Sequence, residues 1–441
     1  MQDYYLIRDC LEGERQIKDQ GELYTPKPDG MSSTNYQHYI DRGSFYGAPE
    51  MTLRALVGLA LRKDPVIRLP SRLEPMRLRA TNDKAPLQVL IEDMVREVTS
   101  MGRFGLMLDF PRAGTTAITT PHFVTWTAET IADWDTQYVN GQKELTRVVL
   151  VSDEDFDGAD VFVELVLEDT IYKIRRFIRE GQPERRVDIG DEIIPTINGK
   201  ALNYIPFLMV SHESLRPSDV KPPLLDLCNL AISHFKNSCD REHAIFLSGS
   251  PTPWIAGSVP IDRVPKAIGS GTVWNLPEGT QVGMLEYTGA GVASMKELMQ
   301  EKIDMMATLG ARMLSVNMNR NETIDTATQR TRSELSLLHS TVVMVEAALT
   351  RLLRLAAEWL AASPDDVSVS FSRDFIEIAM EPKMVEAQLK LWQGGMISRA
   401  TLYENLQRGE IARADRPWED EKDMIDEEGG DLSAPIIRPV A

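Results

Sequence analysis

The feature that most constrains this chain is a stripe of apolar residues in its C-terminal third. Leu335, Leu338, Val342, Val345, Leu349, Leu352, Ala356 and Trp359 follow one another at steps of 3, 4, 3, 4, 3, 4 and 3. An α-helix turns once in about 3.6 residues, so such steps hold side chains on one seam. The spacing predicts a long helix over about 325–362, stopped by Ser363-Pro364, because proline lacks the N–H that would continue it. The seam has to be covered, either within one subunit or between neighbours.

The residues before this helix alternate rods and breaks. Met295, Met299, Ile303, Met306, Leu309 and Met313 step by three or four and predict a helix over 292–314. A polar run, Ser315 to Thr323, separates it from the long helix. Upstream, 248–291 is rich in proline and glycine around three short apolar pieces, PTPWIAG, GTVWNL and QVGMLEY. Before that, 222–247 reads as helix, with Pro222 and Pro223 suited to a first turn. A small module suspended between two helices can stand well away from a body, since about 22 residues of helix reach roughly 33 Å.

The N-terminal half differs. Residues 1–50 are polar and aromatic, with Tyr24-Thr-Pro-Lys-Pro28 reading as an extended strap. Amphipathic helices are expected over 51–63 and 85–101. From 102 to 215, short β-rich runs such as GLMLDF, HFVTW and VFVELVL alternate with Gly, Asp and Pro clusters, the pattern of a mostly antiparallel sheet. After 362 come a strand (VSVSFS), helices at 381–393 and 398–408, and an acidic stretch from Glu419 that reads as solvated or disordered. The fold class is α+β.

Composition excludes several functions. Hydrophobic residues make up 43 %, enough for a large core, and the formal net charge is −18. Tight nucleic-acid grip needs a basic face, so this balance opposes it. Cys10, Cys228 and Cys239 make no disulfide framework and suit a reducing cytoplasm. The first residues resemble no signal peptide, and no apolar run approaches the roughly 20 residues of a membrane span, so a soluble cytoplasmic protein is expected.

Chemistry-bearing motifs are sparse. No GxxxxGK[ST], HExxH or GxSxG occurs, and Gly102-Arg-Phe-Gly105 lacks the third glycine of a dinucleotide fingerprint. Cys239 and His243, one helical turn apart, could be half a zinc site, but no partner pair is visible. Asp153, Asp155, Asp157 and Glu164 satisfy the spacing of a twelve-residue calcium loop. The segments around them read as strands rather than the two helices such a loop requires, so an acidic hairpin competes with calcium binding. Trp254 and Trp274 fall in the small module, either as partner anchors or as its own minimal core. Asn317, Asn319, Arg320 and Asn321 could touch a polyanion through hydrogen bonds and one charge, or simply make a surface linker. No catalytic residue and no cofactor is expected.

Several segments, in order, resemble the bacteriophage portal family, the head-to-tail connectors, in one of its uncharacterised branches. They are Tyr24-Thr-Pro-Lys-Pro28, then Tyr36, Tyr39, Arg42 and Phe45, then TLRALVGLALRKDPVIRLP. Gly102 to Pro111, Ala128 to Trp134 with Leu145 to Leu150, Leu202 to Phe207, Pro223 to Leu227 and Gly394 to Ser398 continue the series, which spans about 20–410.

The resemblance implies a portal fold. An N-terminal strap and β-rich wing would occupy 1–217, stem helix 1 218–247, the clip 248–291 and stem helix 2 292–314. A channel (tunnel) loop would follow at 315–324, the long helix and a wing strand at 325–380, a reduced helical crown at 381–418 and the acidic tail at 419–441.

The resemblance also implies a function without enzymatic activity. The chain would form a homo-oligomeric ring, a dodecamer in most of the family, at one capsid vertex of the virion after assembly in the bacterial cytoplasm. Double-stranded DNA would pass through without sequence specificity during packaging and ejection. Partners would be the terminase large subunit and a head-completion or tail adaptor protein, both docking on the clip around Trp254 and Trp274, and the major capsid and scaffolding proteins. No membrane is involved. Asn317, Asn319, Arg320 and Asn321 would face the DNA. Two other readings stay open: a cytoplasmic coiled-coil scaffold built on the long helix, and a soluble α+β enzyme.

Overall fold

The computed structural model describes residues 2–110, 120–139, 141–181, 184–249, 252–261, 264–267, 272–285, 290–314, 336–373, 375, 382–408, 411–413 and 416–427. It forms two compact units, Met1–Arg373 and Asp374–Ala441.

The first unit opens with four helices: α1 (Gln2–Glu12), α2 (Glu14–Gln20), α3 (Ser33–Arg42) and α4 (Ala48–Ala60). The sequence pattern marks no helix before residue 51. Tyr24–Pro28 is irregular, but it only joins α2 to α3. The helices form because a narrow set of residues, Ile7, Cys10, Ile17, Tyr39 and Ile40, is buried while polar side chains cover the rest. Ser32 caps α3, its hydroxyl accepting the Asn35 amide at 3.2 Å. The Arg8 guanidinium spans Glu97, at 2.5 Å, and Glu129, at 2.9 Å.

After the short strand β1 (Val66–Arg68), α5 (Leu87–Met101) ends on Gly102 at φ 73°, a left-handed cap that favours glycine. The chain turns directly into β2 (Phe104–Asp109). A Cβ on Gly105 would lie 2.8 Å from the Phe207 ring and 2.9 Å from Trp126, so only glycine fits there. Between these glycines Arg103 is 6 % exposed, stacked over Trp134 at 4.7 Å and Tyr4 at 5.7 Å, with its guanidinium on Asp219 at 2.9 Å. The Gly-Arg-Phe-Gly segment is thus a structural turn.

Strands β3 (His122–Trp126), β4 (Ile131–Val139), β5 (Gln142–Phe156), β6 (Ala159–Glu168), β7 (Ile171–Glu180), β8 (Arg185–Asp188), β9 (Thr196–Ile197), β10 (Lys200–Ala201) and β11 (Phe207–Val210) complete the β-rich region. They build a five-stranded antiparallel meander, β4-β5-β6-β7-β8, and a three-stranded sheet, β11-β2-β3. Opposite charges link the meander strand to strand. Arg147 on β5 holds Asp133 and Asp135 on β4 and Glu164 on β6, and Glu164 reaches Arg186 on β8. Beside them Phe162 and Phe177 stack at 5.1 Å, with Arg179 and Arg186 over their faces.

Next come α6 (Leu225–Ser248), β12 (Thr252–Ala256), β13 (Gln281–Leu285), α7 (Ala290–Leu314), α8 (Ser336–Trp359) and β14 (Ser368–Ser370). The seam of α8 is covered inside its own subunit: Leu338, Val342, Val345, Leu349, Leu352 and Ala356 are each 2 % exposed or less. The helix packs on α5, β11 and β14. At its end the Trp359 indole donates to the Tyr204 hydroxyl at 2.8 Å. A helix buried this way does not offer its described seam positions to a coiled-coil partner. Leu335 lies outside the described residues.

The second unit contains α9 (Pro382–Gln393), α10 (Arg399–Arg408) and α11 (Trp418–Glu427). The acidic stretch, expected to be solvated or disordered, is helical over Trp418–Glu427 and largely exposed. Glu419, Asp420 and Glu421 fill its first turn, where carboxylates complement the helix dipole. Trp418 packs on Tyr403 at 5.6 Å.

Candidate functional site

The region with the clearest functional geometry is the hairpin β12–β13 and the two helices that carry it. Helix α6 buries Leu227, Cys228, Ala231, Ile232, Phe235 and Cys239 along one face, against α1, α3, α4 and α7. Gly43 lets α3 approach so closely that an added Cβ would collide with the Cys239 sulfur. Burial pushes the Cys239 thiol up to about 12, far from the reactive range. His243 sits edge-on against Tyr39 at 5.5 Å. Cys239 and His243 therefore pack the α3–α6 seam, and no group of three metal-ligating side chains exists among the described residues.

Helices α6 and α7 run antiparallel. The Lys302 ammonium on α7 donates to the Ser233 carbonyl at 3.1 Å and hydroxyl at 2.8 Å. Ser233 lies 15 residues before the end of α6 and Lys302 12 residues into α7. At 1.5 Å per residue, the hairpin is carried roughly 20 Å beyond this contact. Burial and the neighbouring Lys236 hold the Lys302 ammonium below its usual range. His234 shares the seam. Burial, then the charge of Lys302, lowers its pKa, and neither ring nitrogen has a hydrogen-bond partner.

The hairpin pairs Thr252 with Leu285, Trp254 with Gly283 and Ala256 with Gln281. Trp254 lies over the glycine, where a Cβ would come within 2.7 Å of the indole. Trp254 is 41 % exposed, whereas Trp274 is half-buried and donates its indole N–H to the Ala267 carbonyl at 3.0 Å. The two tryptophans thus differ: Trp274 ties a loop down and Trp254 faces outward. Around them the module exposes Ile261 at 91 %, Val273 at 92 % and Leu285 at 68 %. The sequence reading named only the tryptophans. The alternation of QVGMLEY marked a strand without revealing that both its faces are bare. Phe246, at the end of α6, was also missed; it is exposed beneath the Arg42 guanidinium at 3.8 Å.

Asn317, Asn319, Arg320 and Asn321 lie outside the described residues. Asp153, Asp155, Asp157 and Glu164, the residues of the calcium spacing, lie on β5, on β6 and in the turn between them. Asp157 and Gly158, with φ of 53° and 80°, turn β5 into β6 as a tight hairpin. The Asp155 carboxylate accepts the Gly158 amide at 2.9 Å. Glu164 pairs across the sheet with Val149, away from that turn, and its carboxylate is held by Arg147 at 2.6 Å and Arg186 at 2.7 Å. Burial alone would push the Glu164 carboxyl up; the two arginines outweigh it and hold it low. Among the described residues, these four included, no three acidic side chains gather where a metal ion could be held.

A family model described as a domain of unknown function, DUF4055, matches residues 223–360, from α6 through α8. No curated protein matches the chain. Among solved structures, the neck of a native GTA particle computed with C12 symmetry aligns at 12 % identity and TM-score 0.42, covering 81 % of this chain and 89 % of that one. The neck of an empty GTA particle computed with C6 symmetry aligns at 12 % identity and TM-score 0.42, covering 87 % and 95 %. Among the described residues no helix is long and apolar enough to cross a membrane.

Proposed function

We propose that this chain is a portal subunit of a phage-type particle: identical copies close into a ring whose pore passes double-stranded DNA. The observation that carries this reading is the α6–hairpin–α7 arrangement. Two antiparallel helices anchored in the body hold a two-stranded module whose own apolar side chains, Trp254 and Leu285 foremost, stay bare. A monomer gains nothing from leaving such a surface in water, so it fits a docking tip. Terminase and later a tail adaptor would take turns on it. The net charge of −18 per copy suits a wall along which DNA slides rather than sticks. Contact would come from Asn317, Asn319, Arg320 and Asn321. The reading gives the chain no catalytic step.

The test is negative-stain microscopy of the purified full chain. Rings with a central hole are expected; small oligomers without a pore at every salt concentration would sink the reading. Deleting 316–321 should leave rings intact and impair DNA retention or translocation. Normal packaging by that variant would remove the channel role of the four polar residues.

A further inference from the structure

The described residues of the second unit's helical part build almost no core of their own. From Pro382 onward, Tyr403 is the one buried apolar side chain among the described residues. Leu389, Leu391, Met396, Ile411 and Met424 are exposed. Three short helices that hide so little apolar surface need a cover from outside.

The bare surface is divided by charge. At one end, α9 and the turn into α10 present Leu389, Lys390, Leu391, Met396 and Arg399, with Glu386 exposed one turn before Lys390, so that two cations face one carboxylate there. This end is rigid: Asn405 donates to Gln388 at 3.0 Å, and Arg399 lies over the Trp392 ring at 5.5 Å. Helix α11 forms the other end. It is tied to α10 by the Tyr403–Trp418 ring contact and by the Tyr403 hydroxyl donating to the Arg416 carbonyl at 3.3 Å, while Arg416 pairs with Glu421 at 2.6 Å across the start of α11. These ties use one side of α11. The opposite side exposes Asp420, Asp423, Met424 and Glu427, a methionine among carboxylates at helical spacing. Within one unit α11 packs on α10 through its Trp418 side, which leaves the acidic side turned away from that contact.

We infer that the acidic face of α11 docks on the apolar, basic α9–α10 end of the next copy of this chain, head to tail. Carboxylates would meet Lys390 and Arg399, and Met424 would meet Leu389. Such an interface is heterologous, the kind that closes rings when its rotation closes. The inference shares a ring with the proposed function but not its DNA or motor roles.

Cysteine cross-linking of the full-length chain tests it. Cys10, Cys228 and Cys239 are buried, so engineered surface thiols react alone. The double variant Leu389→Cys/Met424→Cys, treated with copper-phenanthroline, should give a non-reducing gel ladder of linked chains. Each single variant should remain monomeric on the same gel. A single faster-migrating monomer band would show a link within one chain and overturn the contact, as would no link, or dimers from a single variant. In the double-cysteine background, Asp420→Lys/Asp423→Lys should cut the ladder at least tenfold. Mixing that protein with Lys390→Glu/Arg399→Glu in the same background should restore it, because alternating copies recover opposite charges; no recovery overturns the charge pairing. Rings seen by microscopy without any ladder would remove this contact and leave the portal reading standing, whereas a ladder without rings would do the reverse.

Discussion

Helix α8 and hairpin β12–β13 each carry a periodic apolar pattern, one at steps of three and four and one alternating, and meet opposite fates. In α8 the whole described seam from Leu338 to Ala356 is sealed inside the subunit. In the hairpin Trp254, Val282, Met284 and Leu285 all remain bare. Periodicity states that a residue has an apolar side; it does not state what covers it. The contrast divides the molecule into surface that folds the subunit and surface left over for partners.

The strongest way to break this contrast is Leu349→Asp. The site is fully buried, so an unpaired carboxylate there should cost more than about 4 kcal/mol and abolish folding. Soluble expression and circular dichroism read it; a folded, ring-deficient protein would instead mean that the seam faces a neighbour. Leu349→Ala should cost about 3 kcal/mol in denaturant unfolding.

Arg8→Ala comes next. It strands the buried Glu97 carboxyl, which burial already pushes up against the pull of Arg8. A loss of about 3 kcal/mol is expected in the same assay; a change below about 0.5 kcal/mol would show that α1 is not held by this ion pair.

A pH effect follows. Burial is the first cause lowering His122, His212, His234 and His243, so each binds its proton less readily folded than unfolded. Their contribution is complete above the unfolded value of about 6.5 and is lost as pH falls below it. Urea midpoints should drop from about pH 7.5 to about pH 5.5, and less so for His234→Gln. An equal drop in that variant would exonerate the α6–α7 seam.

Trp254→Ala should barely move stability, by about 0.5 kcal/mol or less, yet weaken capture of terminase by about 2 kcal/mol, roughly thirtyfold. A large loss of stability with binding unchanged would make the hairpin a core element after all. Smallest of all, calcium should leave the melting temperature where it is, since ligands stabilise only what they bind. A rise that Asp157→Asn cancels would restore the calcium site.

Much of the fold was legible. Expected helices at 292–314 and 85–101 correspond to Ala290–Leu314 and Leu87–Met101, because strong stripes and flanking Pro or Gly marked them. The N-terminal helices were hidden because their buried faces are narrow and partly aromatic, with Tyr36 and Tyr39 doing the work that leucines do elsewhere. Helix α11 was hidden because its six acidic residues outweigh three apolar ones in composition, although its order depends on Trp418 and Arg416. Of the site, Trp254 and Trp274 were legible as a pair. Their different exposure depends on a hydrogen bond to Ala267 and on Gly283, neither of which leaves a periodic trace.

The charge chain across β4–β8 bears on how the sheet finds its alignment. Asp133, Asp135, Arg147, Glu164 and Arg186 satisfy one another only in the observed pairing. Slipping one strand by a single residue would turn Arg147 or Glu164 to the far side and leave its partners stranded. The meander therefore proofreads its own register while it forms, and concentrated salt should make that proofreading lax before it makes the finished sheet fall apart.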